Sequence, residues 1–295
     1  MSQERKPLDG VATGVMLLLT ALWGFQQVTV KWIAADVSLV MQAGLRSIMA
    51  TALLLAWARL RGLTLFGADG TARAGVVAGL LFAGEFVFIY AGLAHTNASR
   101  MSVFIYLAPP LTALGLHLFV RSERLTVRQW TGVLVAFAGI VVAFAEGFGA
   151  GTATWVGDLC GVIAALLWAA TTVVIRATRL ARATATKTLF YQLGISALVL
   201  PVASVMLGEK GITALTPLVA ASLAYQGVIV AFASYLAWFW LLTRYLAAPL
   251  SVLSFLTPMF GMLAGVVFLS EPISAAFVAA ALAVAAGIVL VNLRR

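Results

Sequence analysis

An all-α integral membrane protein, with ten transmembrane helices arranged as two inverted five-helix repeats, is the fold class this sequence predicts. Three observations lead there: an apolar composition, basic residues that alternate from loop to loop, and a repeat spanning half the chain. Of 295 residues, 63% are hydrophobic and 10% charged, whereas soluble domains average roughly 45–50% apolar and 25% charged. The few charges fall between long apolar runs rather than within them. A span needs about 20 apolar residues, so this length accommodates ten spans and leaves no room for a soluble catalytic domain.

Charge and turn residues interrupt the apolar runs at regular intervals and place the spans in order. The first five lie at 10–32, 38–58, 73–93, 98–120 and 127–145, and the second five at 155–177, 187–207, 217–242, 247–269 and 273–292. The first follows Arg5 and Lys6 as a secretory signal would. It is too long for one and offers no cleavage site, so it is expected to persist as a helix. Lysine and arginine collect in cytoplasmic loops, which tests the count. Fifteen of the nineteen fall on the side of the N-terminus, from Arg5 and Lys6 through Arg59, Arg124, Arg179 and Arg244 to Arg295. Lys31, Arg100 and Lys210 fall on the other side, and Arg46 lies inside a span. An even number of spans then leaves both short termini, 1–9 and 293–295, in the cytoplasm. The net charge of +9 is topology, and no nucleic-acid partner is needed to explain it.

Several chemistries are excluded. Cys160 is the only cysteine, so neither an intramolecular disulfide nor a cysteine metal site can form. His95 and His117 lack ligand partners at metal-site spacing. No GxxxxGK[ST] loop is present, so transport driven by a P-loop ATPase within this chain is excluded. Asn97-Ala98-Ser99 fits a glycosylation sequon but abuts a span, and is read as chance. No cofactor is expected.

The halves repeat one another. "LAPPL…SERL…AGIVV" at 107–142 aligns with "LTPMF…SEPI…AGIVL" at 256–290, so that Pro110 matches Pro258, Glu123 matches Glu271 and Gly139 matches Gly287, each 148 residues apart. "TALWGF" at 20–25 aligns with "ALLWAA" at 165–170, pairing Trp23 with Trp168. Units 10–145 and 155–292 each contain five spans, an odd number, so the second enters the membrane upside down. Inverted repeats are an architecture of secondary transporters, which bind substrate near the midplane between the halves.

A first-helix tryptophan, a mid-span proline in the fourth helix and a Ser-Glu before the fifth, all in two copies, resemble the EamA branch of the drug/metabolite transporter superfamily. The resemblance covers nearly the whole chain, which is most similar to bacterial YddG-type exporters of aromatic amino acids. It implies ten helices around a central cavity in a bacterial inner membrane, lined mainly by the first, third and fourth helices of each unit. It also implies export from the cytoplasm. The second copy departs by placing Pro272 where the first has Arg124.

The candidate site consists of the polar and aromatic groups left inside the apolar spans. Pro110 and Pro258 each remove a donor from the carbonyl four residues back, at Tyr106 and Ser254, and such carbonyls could accept from a substrate ammonium. Arg46 and Glu85 are the formal charges well inside spans, where an uncompensated charge costs at least about 2.5–3.5 kcal/mol. Both lie about 12 Å below the same boundary, so they are expected either to form a buried charge pair or to face one aqueous cavity. Trp23, Gln26, Gln27, Tyr90, Tyr106, Trp168, Tyr235 and Trp238 complete the inventory: an aromatic wall plus the donors and acceptors that an apolar amino acid's zwitterionic head requires. Tyr191 and Trp155 read as interfacial anchors. The motifs Gly75-xxx-Gly79, Gly157-xxx-Gly161 and Gly261-xxx-Gly265 favour close helix packing. Glu123 and Glu271 read as structural carboxylates favouring the helix that follows each.

The expected function is secondary export of aromatic or other apolar amino acids by alternating access, with substrate and lipid bilayer as the partners. The alternative is broad export of hydrophobic metabolites or drugs, although the first helix offers Gln26 and Gln27 where small multidrug exporters use a carboxylate. Phosphorylated substrates would want several cavity cations, and only Arg46 is available. An intramembrane enzyme or scaffold is the remote alternative, since no nucleophile with a positioned base is evident.

Overall fold

The computed structural model describes residues 5–67, 69–96, 98–145, 155–269 and 275–292, with the side chains of 98, 99, 269 and 277 excepted. Glu271, Pro272, Asn97 and the C-terminal 293–295 lie outside the described residues. Among the described residues the regular structure is all helical apart from two isolated bridges, Lys6 with Tyr245 and Val37 with Ile212.

The first unit comprises α1 (Gly10–Trp32), α2 (Leu39–Leu60), α3 (Ala72–Leu93), α4 (Ala98–Ile105), α5 (Ala108–Phe119) and α6 (Val127–Ala143). The second comprises α7 (Trp155–Ala177), α8 (Ala185–Met206), α9 (Pro217–Ala224), α10 (Tyr235–Arg244), α11 (Ala247–Leu253), α12 (Leu256–Leu269) and α13 (Ala275–Asn292). Helix starts follow local chemistry. Asp9 accepts from the Ala12 N–H, and Thr184 and Thr216 accept from Lys187 and Val219, so each satisfies an orphan first-turn donor. Thr126 and Gln129 form a reciprocal capping box at α6. That box does the work assigned above to Glu123, whose carboxylate is used elsewhere.

Among the described residues, eight helical segments are long and apolar enough to cross a bilayer, and α6 and the apolar part of α13 are shorter. Three of the eight are composite. The segment Arg100–Phe119 joins α4 to α5, Ala247–Phe268 joins α11 to α12, and Pro217–Arg244 joins α9 to α10. Between α9 and α10 the residues Tyr225–Ser234 wind as a π-helix, a rare form often found at functional sites. The outward faces are apolar: Leu18 is 60%, Leu198 73% and Leu282 67% exposed. Such surfaces suit hydrocarbon, not water.

The most extensive helix contacts are α6 with α13, α3 with α7, α2 with α8, and equally α1 with α12 and α3 with α8. Small residues permit them. A side chain at Gly132 would meet the Gly287 carbonyl at 2.7 Å, and one at Gly24 would meet the Gly261 nitrogen at 2.7 Å. Gly75 and Gly79 seat Tyr191 and Ile195 of α8. Tyr191 is therefore a packing residue, also 3.3 Å from the Thr71 hydroxyl. Trp155, 74% exposed, is free to serve at the interface.

Two loop carboxylates tie α2 to α8. Asp69 accepts from the Lys187 ammonium at 2.7 Å near the start of α8. Glu209 accepts from the Val40 and Met41 N–H groups at the start of α2. The Asp69 carboxyl is held well below the usual carboxylate range by Lys187 first and by Thr71 next. On the face carrying residue 5, Lys6 N–H donates to the Arg244 carbonyl and Tyr245 hydroxyl donates to Asp9.

Candidate functional site

Helical periodicity assembles the site. On α3, Phe82, Phe86 and Tyr90 recur every four residues and so form one stripe. Phe82 meets Phe86 edge-on at 5.2 Å, and Phe86 stacks toward Tyr90 at 6.3 Å. Phe82 also meets Tyr235 at 6.1 Å, and Trp23 of α1 meets both Tyr235 and Trp238 at 6.1 and 5.9 Å. These rings make a continuous wall from α1 through α10 to α3. The Trp23 indole N–H is already committed, donating to the Ser234 hydroxyl at 2.8 Å. Trp23 thus offers its ring face and not a donor.

Arg46 is 3% and Glu85 7% exposed. No ion pair joins them, since the ion pairs among the described residues are Arg100–Asp158, Arg176–Glu123 and Lys187–Asp69. Instead the Arg46 guanidinium lies 4.7 Å over the Phe86 ring, a cation–π contact that orients it without neutralising it. Arg46, Glu85, Tyr90 and Tyr235 lie within electrostatic reach of one another. Of the two arrangements expected, the buried charge pair is not formed as an ion pair. Among the described residues no hydrogen bond or ion pair engages either side chain, and Arg46 lies against the aromatic wall.

A second ring cluster sits where the composite spans break. Tyr106 meets Trp168 of α7 at 6.2 Å and Phe255 at 6.1 Å. The breaks fall at Tyr106–Leu107 and at Ser254–Phe255, 148 residues apart. Pro110 and Pro258 therefore occupy the first turn of a new half-helix, where a missing N–H is tolerated, rather than kinking a continuous one. The two carbonyls differ in consequence. Ser254 was expected to present a freed carbonyl, but it accepts from the Thr257 N–H at 2.9 Å, so only its four-residue donor is lost. Tyr106 has Pro109 and Pro110 at both positions that could donate to it. No helical donor exists for its carbonyl.

The remaining candidates scatter. Gln27 is exposed one turn beyond Trp23, while Gln26 is buried. Sequence reasoning passed over Phe82, Phe86, Phe255 and Ser234. The four-residue spacing of Phe82, Phe86 and Tyr90 was a visible signal, whereas nothing local marks Ser234 as the partner of Trp23. Also passed over was Gln42, which donates to the Val37 carbonyl at 2.9 Å and accepts from Gln226.

On the face of residue 5 a fully buried ion pair, here called the latch, joins the two units. Arg176 donates to the Glu123 carboxylate through two nitrogens and to the Leu242 carbonyl at 2.6 Å. The other Glu123 oxygen accepts from the Ala247 N–H at 2.7 Å and from Ala248, at the start of α11. Glu123 thus serves the N-terminus of a helix in the other unit, not the one that follows it. The side chains are 1% and 0% exposed.

Among the described residues there is no group of three or more metal-ligand side chains. The chain is 27% identical over 201 residues to the uncharacterized transporter YvbV of Bacillus subtilis (strain 168), covering 68% of this chain and 65% of that protein. The match thus spans just under two thirds of the relative. A solved crystal structure superposes with a TM-score of 0.81 at 20% identity over 96% of each chain, a likeness of fold. The model of the EamA-like transporter family matches residues 12–145 and again 155–293. By that double match the chain belongs to the EamA-like transporter family, and it is a multi-pass membrane protein.

Proposed function

We propose that the protein exports aromatic or other apolar amino acids across the bacterial inner membrane by alternating access of a site shared by two inverted repeats of five spans, with both termini cytoplasmic. The observation that carries this reading is the pair of buried, unpaired charges beside an aromatic wall. A zwitterion presents a carboxylate and an ammonium within one small head. Arg46 matches the first and Glu85 the second, and each is open to a partner because neither is bound to the other. The substrate would then supply the compensation that two charges at this depth require. Phe82, Phe86, Tyr90, Trp23 and Tyr235 suit a flat apolar side chain. The Tyr106 carbonyl, with no helical donor, adds a further acceptor for the ammonium.

The inverted arrangement is supported by the way the helices pair. Exchanging the two units turns the α3–α8 contact into that of α2 with the π-wound segment, and the contact of α5 with α7 into that of α12 with α1, all of which occur. The contacts α2–α8 and α6–α13 exchange into themselves. Broad export of hydrophobic metabolites would not call for two opposite unpaired charges.

Uptake of radiolabelled tryptophan, phenylalanine and threonine into liposomes containing the purified protein, with and without a proton gradient, tests the proposal. Protein-dependent flux of tryptophan and phenylalanine is expected. Absence of flux for every amino acid would remove the reading, and flux of threonine alone would correct the substrate class.

A further inference from the structure

The helices α2 and α8 have the same length, 22 residues, and run antiparallel, since Gly44 near the start of α2 packs on Pro201 near the end of α8. Arg46 is the eighth residue of α2 and Gln192 the eighth of α8. At about 1.5 Å per residue, each lies roughly 10 Å inside its own boundary, from opposite faces. Gln192 therefore occupies, in the second unit, the place Arg46 holds in the first. It is 1% exposed, and its amide Nε2 has no hydrogen-bond partner. One turn on, Ser196 is fully buried and its hydroxyl also lacks a partner. One turn back, Thr188 lines a small cavity beside Arg176, Phe239 and Leu242, at the latch. Thr188, Gln192 and Ser196 thus form one buried polar stripe leading inward from the latch.

Buried polar groups without partners are uncommon and call for a reason. An isolated donor in an apolar bundle destabilises the state in which it is orphaned. We propose that Gln192, with Ser196 beside it, is a substrate-binding station of the other half-cycle: when the Arg176–Glu123 latch opens, the Gln192 amide donates to the substrate carboxylate as Arg46 does in the present conformation. This rests on the reading of Arg46 as the carboxylate site. It adds α8 to the lining of the path and makes recognition from the two faces chemically unequal. A cation holds the carboxylate from one side and a neutral amide from the other. The latch side accordingly has the weaker hold, since hydrogen bonds to a charged donor are the stronger.

The test is the Michaelis constant for labelled tryptophan measured separately from each face, in right-side-out and inverted membrane vesicles. Gln192→Leu is expected to raise KM about tenfold from the face of residue 5 and to leave it within about twofold from the other. Gln192→Asn, which keeps the amide but shortens it, gives a smaller one-sided rise and covers the case in which leucine prevents folding. Because the amide has no partner in the present conformation, the melting temperature of the Gln192→Leu protein is expected to hold or rise. A KM change equal at both faces, or none at either, overturns the proposal while leaving the central site intact. Arg46→Met separates the two: if it leaves KM unchanged from both faces, the reading of the central site falls, and the station at Gln192 falls with it.

Discussion

The half-helices α4 and α11 occupy matching places in the two units, 148 residues apart, and they are packed differently. Every residue of α11 is buried, and its first N–H groups rest on Glu123, which Arg176 holds from α7. In α4, Met101 and Val103 are buried, while Arg100, Ser102, Phe104 and Ile105 are partly exposed. The ion pair beside it, Arg100 with Asp158 at 2.5 Å, is 20% and 17% exposed. The same sequence pattern thus supports a sealed half-helix at the face of residue 5 and a looser one at the other face. What differs is the charge chemistry around the helix start, not the helix.

Breaking the latch should have the largest effect. Glu123→Ala leaves the Arg176 guanidinium buried without its partner, and a loss of about 3–5 kcal/mol is expected, read as a fall in melting temperature of the detergent-solubilised protein. A loss within experimental error would mean that α11 is sealed by packing alone. The double replacement Glu123→Met with Arg176→Met sharpens the point. Apolar side chains of similar volume fill the same space, so most of the stability is expected to return, while exchange between faces slows because the switchable contact is gone. Tracer exchange across liposomes measures that rate.

At the α4 end, Asp158→Asn is expected to cost at most about a quarter of the latch effect, because solvent already screens the Arg100 pair. An equal cost at both ends would erase the contrast between α4 and α11. The smallest effect belongs to Asp69→Asn, whose carboxylate is half-exposed where it meets the buried Lys187. The Asp69 carboxyl is depressed in the folded protein, so its contribution is fully present above the ordinary carboxylate range, near pH 4, and is lost as pH falls through the folded-state value. The melting temperatures of wild type and Asp69→Asn should therefore differ at neutral pH and converge in acid.

Much of this was legible in the sequence because the membrane imposes its rules on single residues. The apolar runs are helical with ends within about two residues of those expected, although three are broken into shorter segments and two fall short of a full span, and the double Pro109-Pro110 and single Pro258 marked where two of the spans break. The site was legible only as an inventory. Trp23, Glu85, Tyr90 and Tyr235 were recognisable as polar or aromatic groups in an apolar background. Whether Arg46 would meet Glu85 or the Phe86 ring depends on side-chain rotation across helices that are distant in sequence, and no local pattern encodes it. Glu123 misled for a related reason. A carboxylate before a helix ordinarily serves that helix, but here Thr126 and Gln129 had already satisfied it, which freed Glu123 for α11. The π-wound residues Tyr225–Ser234 carried no recognised signal, since their composition matches that of the helices on either side.

The zwitterion site is tested most directly by binding of three ligands that share one indole: tryptophan, tryptamine without the carboxylate, and indole-3-propionate without the ammonium. Each is titrated against wild type, Arg46→Met and Glu85→Gln. Wild type should prefer tryptophan to both. Arg46→Met should lose the preference over tryptamine alone, and Glu85→Gln the preference over indole-3-propionate alone. If both variants keep the wild-type ratios, Arg46 and Glu85 do not hold the substrate's charges, and the site must be sought elsewhere in the bundle.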